Sequence, residues 1–379
     1  MAKKQKICAK AVPERLGKVG GQAVLEGVMM KAGEKTVTTC RKEDGSIVVT
    51  DASFVSVRKK HKILNIPILR GIINFVEMMI LSTKTLTASA DAMGIEDEEG
   101  KTEKWLKKHL GVRLTDVIML IGTVLGLGLS VLLFMFLPNF VSSLIDKYLA
   151  DGKLGVWVAV IEGGVKILIF LLYLWLVSLI PDIKRTFMYH GAEHKSIACF
   201  ESGAPLTPES AKNYTRFHPR CGTSFMFFMI ALGVVAGLLI KTFIKGLDSW
   251  AYTGIRILIL PLVVGLGYEF IMFAGKHDNF ITRFFSAPGL WVQRITTKEP
   301  TEDMLEIAII SIKCALRDEF PEFMEFYRNR EWEPKSEVVS DGYTPDTKAE
   351  DAASEPEAEA SAEPEATDGK TSEADGEDQ

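Results

Sequence analysis

The chain has 379 residues and a formal net charge of −5, and 47% of its residues are hydrophobic. Hydrophobic residues concentrate between Leu114 and Ala274 and acidic residues follow Glu333, so the mean composition describes no single region. The five cysteines include no C-x-x-C pair, which argues against a disulfide framework. The basic N-terminus has no apolar core, and we therefore expect no cleaved signal peptide.

The first part of the chain is predicted to form a small cytoplasmic β unit. Residues 1–17 are a basic, flexible N-terminus, and residues 18–62 carry the strand signals. Thr36–Cys40 and Ile47–Val49 are typical of strands, and the Asp-Gly pair between them favours a hairpin turn. The upstream run GGQAVLEGVMM has two interpretations, a strand with turns at both ends or a backbone that glycines bring close to a neighbour.

An amphipathic segment, residues 63–112, precedes the most apolar part of the chain. Its apolar stretch Ile63–Leu81 contains Pro67, Arg70 and Glu77. Two charges and a proline inside so short a stretch favour an interfacial or re-entrant helix over a membrane span.

Four transmembrane helices are predicted between residues 113 and 275, because a helix that spans a bilayer needs about 20 apolar residues. The predicted spans are Leu114–Pro138, Leu154–Ile180, Thr223–Ile240 and Ile255–Ala274. The second span contains Glu162 and Lys166, which are four residues apart and can pair on one face of the helix. The predicted fold class is thus an α-helical polytopic membrane protein with a small β-containing N-terminal unit.

Lys and Arg residues are distributed unevenly among the segments that connect the predicted spans. They are frequent before the first span, in the 181–222 loop and after the fourth span, and scarce at 139–153 and 241–254. The positive-inside rule then places both termini in the cytoplasm, in a multi-pass protein of the cytoplasmic (inner) membrane. This orientation puts the 181–222 loop on the cytoplasmic face.

The C-terminal part is predicted to contain one helix and a disordered acidic tail. Residues 276–332 are a cytoplasmic segment with an amphipathic helix, for which Thr301 is the predicted N-cap. Residues 333–379 are dominated by Glu, Asp, Ala, Ser, Pro and Thr, a composition that buries too little apolar surface to fold. We expect this tail to be dispensable for folding and membrane insertion.

The 181–222 loop contains the sequence HGAEHKSIACFE, in which His190, Glu193 and His194 form an H-x-x-E-H motif. The surrounding segment is predicted to be a helix from about Asp182 to Phe200, so the two histidines lie one turn apart on one face. That spacing can present two imidazole nitrogens to one divalent metal ion, and the ligand types favour zinc. Glu193 could then act as a general base, and inverzincin metallopeptidases carry their residues in the same order.

The sequence leaves the third ligand open. His218 is the first choice because it lies in the polar run HPRCGTS, and Cys221 in the same run is the third. Glu269 is the second choice, because a carboxylate near the end of a membrane span requires a partner. In the alternative interpretation no metal is bound, and the buried histidines of the motif are hydrogen-bonded to polar neighbours.

Four motifs carry a family resemblance. They are, in chain order, GGQAVLEGVMM, HGAEHKSIACFE, HPRCGTSF and APGLWVQRITTKEP. As a set they resemble the DUF1385 family of bacterial membrane proteins over roughly residues 18–315. The resemblance implies a membrane protein regarded as a metal-dependent enzyme because of its histidine motif, and it supplies no reaction.

The leading functional hypothesis is a metal-dependent hydrolase of the cytoplasmic membrane, with a site on the cytoplasmic face and an unknown substrate. The alternative is a non-catalytic scaffold or biogenesis factor whose basic face binds anionic lipid, a ribosome or membrane-protein machinery. Transport is a third hypothesis and rests only on the charged residues within the spans. The lipid bilayer is the expected partner, no specific nucleic acid is expected, and the oligomeric state is open.

Overall fold

A computed structural model describes residues 11–93, 114–244, 246, 249–276, 279–323 and 343–344. The chain divides into two compact units, Met1–Pro345 and Asp346–Gln379. The second unit lies outside the described residues, as do residues 1–10 of the basic N-terminus. Within the predicted disordered tail 333–379, the structure describes only Tyr343 and Thr344, which form a short strand, and for the other tail residues disorder remains a prediction.

A five-stranded antiparallel sheet forms the N-terminal unit, and its strands are paired in the order in which they occur along the chain. The predicted hairpin is present between the third and fourth strands, where Asp44 Oδ1 accepts a hydrogen bond of 2.8 Å from Ser46 N and Gly45 has a φ of +84°. The strands are β1 Val19–Val24, β2 Gly27–Ala32, β3 Lys35–Arg41, β4 Ile47–Phe54 and β5 Tyr343–Thr344.

The run GGQAVLEGVMM forms most of β1, a two-residue turn and the start of β2, so the turn lies in its middle and not at its ends, as the first interpretation had it. Val24 pairs with Gly27 across the turn, and Glu26 between them has a φ of +46°. A Cβ on Gly27 would lie 2.3 Å from Thr39 O, so the close approach of β2 to β3 requires glycine there. The carboxylate of Glu26 is bound by the Arg185 guanidinium, which ties the turn to the helical part.

Nine helices of more than one turn account for most of the described residues. Shorter helical turns lie at Val57–Lys60, Lys62–Asn65 and Pro208–Ala211. The nine helices are α1 Leu69–Ala92, α2 Leu114–Val131, α3 Leu137–Leu149, α4 Trp157–Val177, α5 Pro181–Glu201, α6 Gly222–Phe243, α7 Ser249–Lys276, α8 Phe280–Thr296 and α9 Glu302–Ala315.

Four helical segments in the described part of the chain are long and apolar enough to cross a membrane, as the sequence predicts. They are Ile121–Leu149, Trp157–Val177, Gly222–Phe243 and Ala251–Ala274. In the most apolar 18 residues of each helix, no more than 28% are buried by the rest of the protein, so the apolar side chains require an apolar environment. Four such helices suggest a membrane protein.

The first span is longer than predicted. The sequence prediction ended it at Pro138 and placed a loop at 139–153, but the helix continues to Leu149 through the wider π-type turn Leu132–Phe136. Pro138 lies in the first turn of α3, directly after that wider turn. The wider turn accommodates the proline, because the hydrogen-bond pattern changes there and Leu137 N donates to Leu132 O.

Helix α1 is not among the candidate spans, in agreement with the prediction for residues 63–81. It packs against α7, where a Cβ on Gly71 would lie 2.9 Å from the Tyr268 side chain. Its other end contacts the sheet, because Gln22 Nε2 donates a hydrogen bond of 2.7 Å to Thr85 Oγ1. The residue before α1, Ile68, has a φ of +71° and lies against Gly265.

Helix α9 forms the core together with the sheet and α5. Its Thr301 N-cap accepts a hydrogen bond from Met304 N, as predicted. Leu305, Ile307 and Ile312 are fully buried in the same cluster as Val28 of β2. The sheet is thereby fixed against the helix that carries the H-x-x-E-H motif.

Candidate metal centre

Helix α5 carries the motif, and its bounds agree with the predicted helix to within one residue. Pro181 occupies the first turn and Asp182 follows it, which suits the positive end of the helix dipole. From Tyr189 onward nearly every residue is buried. The His190 and His194 rings lie one turn apart with centroids separated by 4.4 Å.

Both histidines of the motif are oriented by backbone carbonyls. His190 Nδ1 lies 2.9 Å from Thr296 O, and His194 Nδ1 lies 2.6 Å from Arg216 O. A carbonyl oxygen can only accept a hydrogen bond, so each Nδ1 carries a proton, and in the neutral ring the lone pair is then on Nε2. This is the arrangement in which proteins hold histidines that ligate a metal through Nε2.

Cys221 completes the group, and we call His190, His194 and Cys221 the His–Cys cluster. One ligand atom from each of the three residues lies within 4.8 Å of the others, and Cys221 Sγ is 3.3 Å from His190 Nε2. Burial raises the pKa of the Cys221 thiol, but the two imidazoles more than offset this effect and the pKa lies well below its usual value. The thiolate, which is the form that binds metals, is therefore favoured.

The donor set fits one divalent ion. Ligand atoms around a tetrahedral zinc ion with bonds of about 2.0–2.3 Å are roughly 3.3–3.6 Å apart. Cys221 Sγ and His190 Nε2, which are 3.3 Å apart, already have that spacing, and no pair of ligand atoms in the His–Cys cluster is more than 4.8 Å apart. Two neutral imidazoles and one thiolate would leave the fourth position of such an ion to water or substrate.

Glu193 lies beside the cluster with an unsatisfied carboxylate oxygen. Its side chain is 5% exposed, and among the described residues Oε2 has no hydrogen-bond partner. Burial raises the pKa of this carboxyl group, and the neighbouring histidines oppose the shift only in part. A Cβ on Gly21 would lie 3.1 Å from Glu193 Cγ, so β1 approaches this side chain closely.

His218 lies next to the cluster, but its ring nitrogens face other groups. Its ring centroid is 5.4 Å from that of His194. Nδ1 accepts a hydrogen bond of 3.3 Å from Arg220 N, and Nε2 lies 3.9 Å from Glu201 Oε2. Burial lowers the pKa of His218, which favours the neutral ring. His218 thus forms part of the wall behind His194.

Glu269, on α7, is bound elsewhere. Its carboxylate forms a bidentate ion pair with the Arg70 guanidinium and accepts a hydrogen bond of 3.3 Å from Ile68 N. It therefore caps the start of α1, where a negative charge is stabilised by the helix dipole. The structure does not bring Glu269 into the His–Cys cluster.

Two buried side chains that the sequence prediction did not single out position the cluster. Gln293 of α8 accepts a hydrogen bond of 2.8 Å from His218 N and donates one of 2.7 Å to His218 O. Lys195, which is fully buried, donates to Lys212 O at 2.7 Å and pairs with Glu299 at 2.6 Å. The motif APGLWVQRITTKEP contains Gln293, but no local pattern in the sequence predicts that Gln293 bonds to the backbone of His218. Nor does one predict that Lys195 bonds to Lys212 O.

A cavity of about 790 Å³ opens beside the cluster, and we call it the central cavity. The His–Cys cluster and Glu193 form a polar part of its lining. Residues of β1 and β2 and apolar side chains of α1, α6 and α7 also line it, among them Phe75, Met226 and Met272. The cluster is thus buried in the protein yet open to a ligand-sized space.

Comparison with known proteins gives a family but no activity. The chain is 36% identical over 305 residues to the "Uncharacterized protein YqhQ" of Bacillus subtilis (strain 168), which covers 79% of this chain and 92% of that protein. No solved structure matches the chain. The family model described as "Protein of unknown function (DUF1385)" matches residues 66–318, which include the whole His–Cys cluster. The chain therefore belongs to the DUF1385 family.

Proposed function

We propose that this protein is a metal-dependent hydrolase whose ion is held by the His–Cys cluster. One observation carries the proposal: two histidines with carbonyl-fixed Nδ1 atoms and one low-pKa thiol converge beside an unsatisfied buried carboxylate. Buried polar groups are ordinarily satisfied, so a carboxylate oxygen left unsatisfied beside three potential ligands suggests a bound group. Of the three candidates for the third ligand, Cys221 is thereby favoured over His218 and Glu269.

Each residue of the site has its own role in the proposed reaction. His190, His194 and Cys221 would hold the ion, which supplies Lewis acidity toward a carbonyl or phosphoryl oxygen and acidifies water. Glu193 would accept the proton of the attacking water and return it to the leaving group, which its raised pKa suits. The net reaction adds one water across the scissile bond and releases an acid and an alcohol or amine.

The metal content of the purified protein tests this proposal. We expect stoichiometric zinc in the wild type, and a loss of most of it in His194→Ala and in Cys221→Ser, since each removes a ligand. Glu193→Gln should retain the metal and lose hydrolytic activity, because the ligands remain and the base does not. Wild-type protein that is metal-free and cannot be reconstituted would contradict the proposal.

Controls for the same measurement are His218→Ala and Glu269→Gln. Both residues were candidates for the third ligand, and both have other partners in the structure. We expect Glu269→Gln to retain zinc fully and His218→Ala to weaken its binding without abolishing it. A complete loss in either variant, with zinc retained in Cys221→Ser, would reassign the third ligand.

A second candidate function rests on the position of Cys221. It is the N-cap of α6 and lies 3.3 Å from His190 Nε2, which is the geometry of a thiolate–imidazolium pair. Burial lowers the pKa of His190, but Cys221, Glu193 and the Thr296 carbonyl together more than offset this and raise it to about 9. In this case Sγ would attack an acyl carbon, His190 would protonate the leaving group, and water would then release the acyl product.

Thiol alkylation distinguishes the two candidates. In the metal enzyme, iodoacetamide should modify Cys221 only after the metal is removed by a chelator. In the thiol enzyme it should modify Cys221 rapidly without a chelator, and zinc should be absent from the active protein. Absence of metal together with an unreactive Cys221 would favour the non-catalytic scaffold hypothesis.

We also propose that the His–Cys cluster faces the cytoplasm and that both termini do so. The Lys/Arg asymmetry of the connecting segments supports this orientation. Cysteine labelling in intact cells tests it with substitutions at two exposed positions, Lys153 between α3 and α4 and Asn213 between α5 and α6. A membrane-impermeant maleimide should reach Lys153→Cys but not Asn213→Cys, and the opposite result would invert the topology.

A further inference from the structure

The lining of the central cavity is polar in one part and apolar in another. At one end lie the His–Cys cluster and Glu193, and at the other the walls belong to α1, α6 and α7. Two of these helices are candidate membrane spans, and the lining residues Phe225, Met226, Ile271 and Met272 lie inside those spans. These residues lie within five residues of the ends of their spans, so in a bilayer the apolar end of the cavity would lie at the edge of the hydrocarbon layer.

The apolar end has surfaces that remain exposed. Met79 of α1 is 58% exposed and Met226 of α6 is 52% exposed, although both line the cavity. Methionine side chains are unbranched and polarizable, so they adapt to flexible apolar ligands such as acyl chains. Apolar side chains at this depth that pack against no protein are covered by lipid.

The lining of the central cavity carries more positive than negative groups. Lys18, Lys31 and Arg220 line the cavity, and Glu193 is the acidic residue among its lining side chains. Lys18 and Arg220 are paired with Glu319 and Glu201. Lys31 instead donates to the carbonyl oxygen of Gly33 at 2.8 Å, and the charges of Glu77 and Glu34 act on it without a direct ion pair.

We propose that the central cavity binds a membrane lipid with an anionic head group. The acyl chain lies between α1, α6 and α7, and the head group lies near Lys31. Basic pockets between transmembrane helices bind anionic head groups in this way. That the lipid is also the substrate rests on the proposed function, whereas its binding does not.

The test uses the full-length protein, purified in a non-ionic detergent and freed of bound lipid. Native mass spectrometry measures 1:1 adducts with dioleoylphosphatidic acid and with dioleoylphosphatidylcholine. Met226→Trp fills the cavity, and Val235→Trp is its matched control, because Val235 lies on the same helix, is also 52% exposed and does not line the cavity. Glycerol 3-phosphate is the competitor that carries the head-group charge without an acyl chain.

We expect the wild type to bind phosphatidic acid about tenfold more tightly than phosphatidylcholine, a difference of roughly 1.4 kcal/mol. Met226→Trp should weaken this binding by about tenfold, and Val235→Trp should leave it unchanged. Equal binding of the two lipids, wild-type binding in Met226→Trp, or displacement by glycerol 3-phosphate would each overturn the proposal.

The same measurement on Cys221→Ser separates this inference from the proposed function. The variant lacks one member of the His–Cys cluster but keeps the apolar walls and Lys31, so we expect it to bind the lipid as the wild type does. If the wild type binds the lipid but contains no metal, the inference stands and the hydrolase proposal is wrong. If the wild type contains zinc but binds no lipid, the hydrolase proposal stands and the inference is wrong.

Discussion

The protein contains two buried polar clusters that differ in how their charges are satisfied. Within the candidate spans, Glu162 accepts a hydrogen bond of 2.7 Å from Lys166 Nζ and is also bound by Arg256. In the His–Cys cluster, by contrast, the adjacent Glu193 has an oxygen without a partner among the described residues. We call the first group the span cluster.

The difference between the clusters separates a structural role from a functional one. A buried carboxylate that faces two cations is held in its charged form and fixes the helices that carry them, here α4 and α7. A buried carboxylate without a partner destabilises the fold unless a ligand offsets the cost. The transport hypothesis rested on the charged residues within the spans. Because Glu162 is paired with Lys166 and Arg256, these charges give that hypothesis no support.

The largest expected effect is in the span cluster. Glu162→Gln leaves two cations without their shared negative charge, so the free energy of unfolding should fall by about 3–5 kcal/mol while the zinc content stays unchanged. Thermal unfolding in detergent measures the first quantity and metal analysis the second. Asp151→Asn is the control, because the Asp151–Lys153 pair is more than 80% exposed and should contribute almost nothing. If Glu162→Gln were as stable as the wild type, the span cluster would not have the structural role that distinguishes it from the His–Cys cluster.

A smaller effect is expected at Gly191, inside the motif. A Cβ there would lie 2.0 Å from Lys298 O, and Lys298 N donates to Phe187 O at 2.8 Å. Gly191→Ala should therefore destabilise the protein by about 1–3 kcal/mol through overpacking and weaken zinc binding by moving Thr296 away from His190. Calorimetry and zinc titration measure the two effects.

The control for that variant is Gly164→Ala. Gly164 lies on helix α4, and a Cβ added there would meet no neighbouring atom within 4 Å. The substitution should stabilise the helix by up to about 1 kcal/mol and leave zinc binding unchanged. If both glycine variants behaved alike, close packing of the motif would not be the reason for its glycine.

The residues that position the cluster should have still smaller effects. Gln293→Ala removes the side chain that holds the backbone of His218, three residues before Cys221, so zinc affinity should fall by about tenfold. Zinc titration against a competing chelator measures the change. An unchanged affinity would show that the 218–221 turn is held without Gln293.

The smallest effect is expected at the acidic tail. Deletion of residues 346–379 should change neither the melting temperature nor the zinc content, because three ligands are already supplied by the His–Cys cluster. Truncation after Glu333 also removes β5, which pairs with Ser53 and Phe54 at the edge of the sheet, and should lower the melting temperature slightly. Loss of zinc on deletion of 346–379 would mean that a tail carboxylate completes the cluster.

Local patterns predicted the elements of this fold well. The apolar runs predicted four spans, the Asp-Gly pair predicted the β3–β4 hairpin, and the spacing of His190 and His194 predicted one face of α5. Each of these signals depends on neighbours within one or two turns of the chain. The extension of the first span to Leu149 was missed, because a proline was taken as its end although it lies in the first turn of α3.

Which residues form the site depends on contacts between residues that are far apart in the sequence. No local pattern in the sequence predicts such contacts. His218 and Cys221 lie in the same turn, and their orientation is set by Gln293, which is far along the chain. Glu269 was expected to need a partner and has one, but this partner is the Arg70 guanidinium and not the His–Cys cluster. The backbone carbonyls that orient the two motif histidines carry no sequence signal at all.

Ile68 has a consequence for the size of the central cavity. A β-branched residue with a φ of +71° costs of order 1–3 kcal/mol, so its neighbours Gly265 and Glu269 must hold it in place. The helix that follows forms one wall of the cavity, where the rings of Phe75 and Phe225 are 5.8 Å apart. Relaxation of Ile68 to a negative φ would change the direction in which α1 leaves this residue, so the width of the cavity is set by contacts that lie outside it.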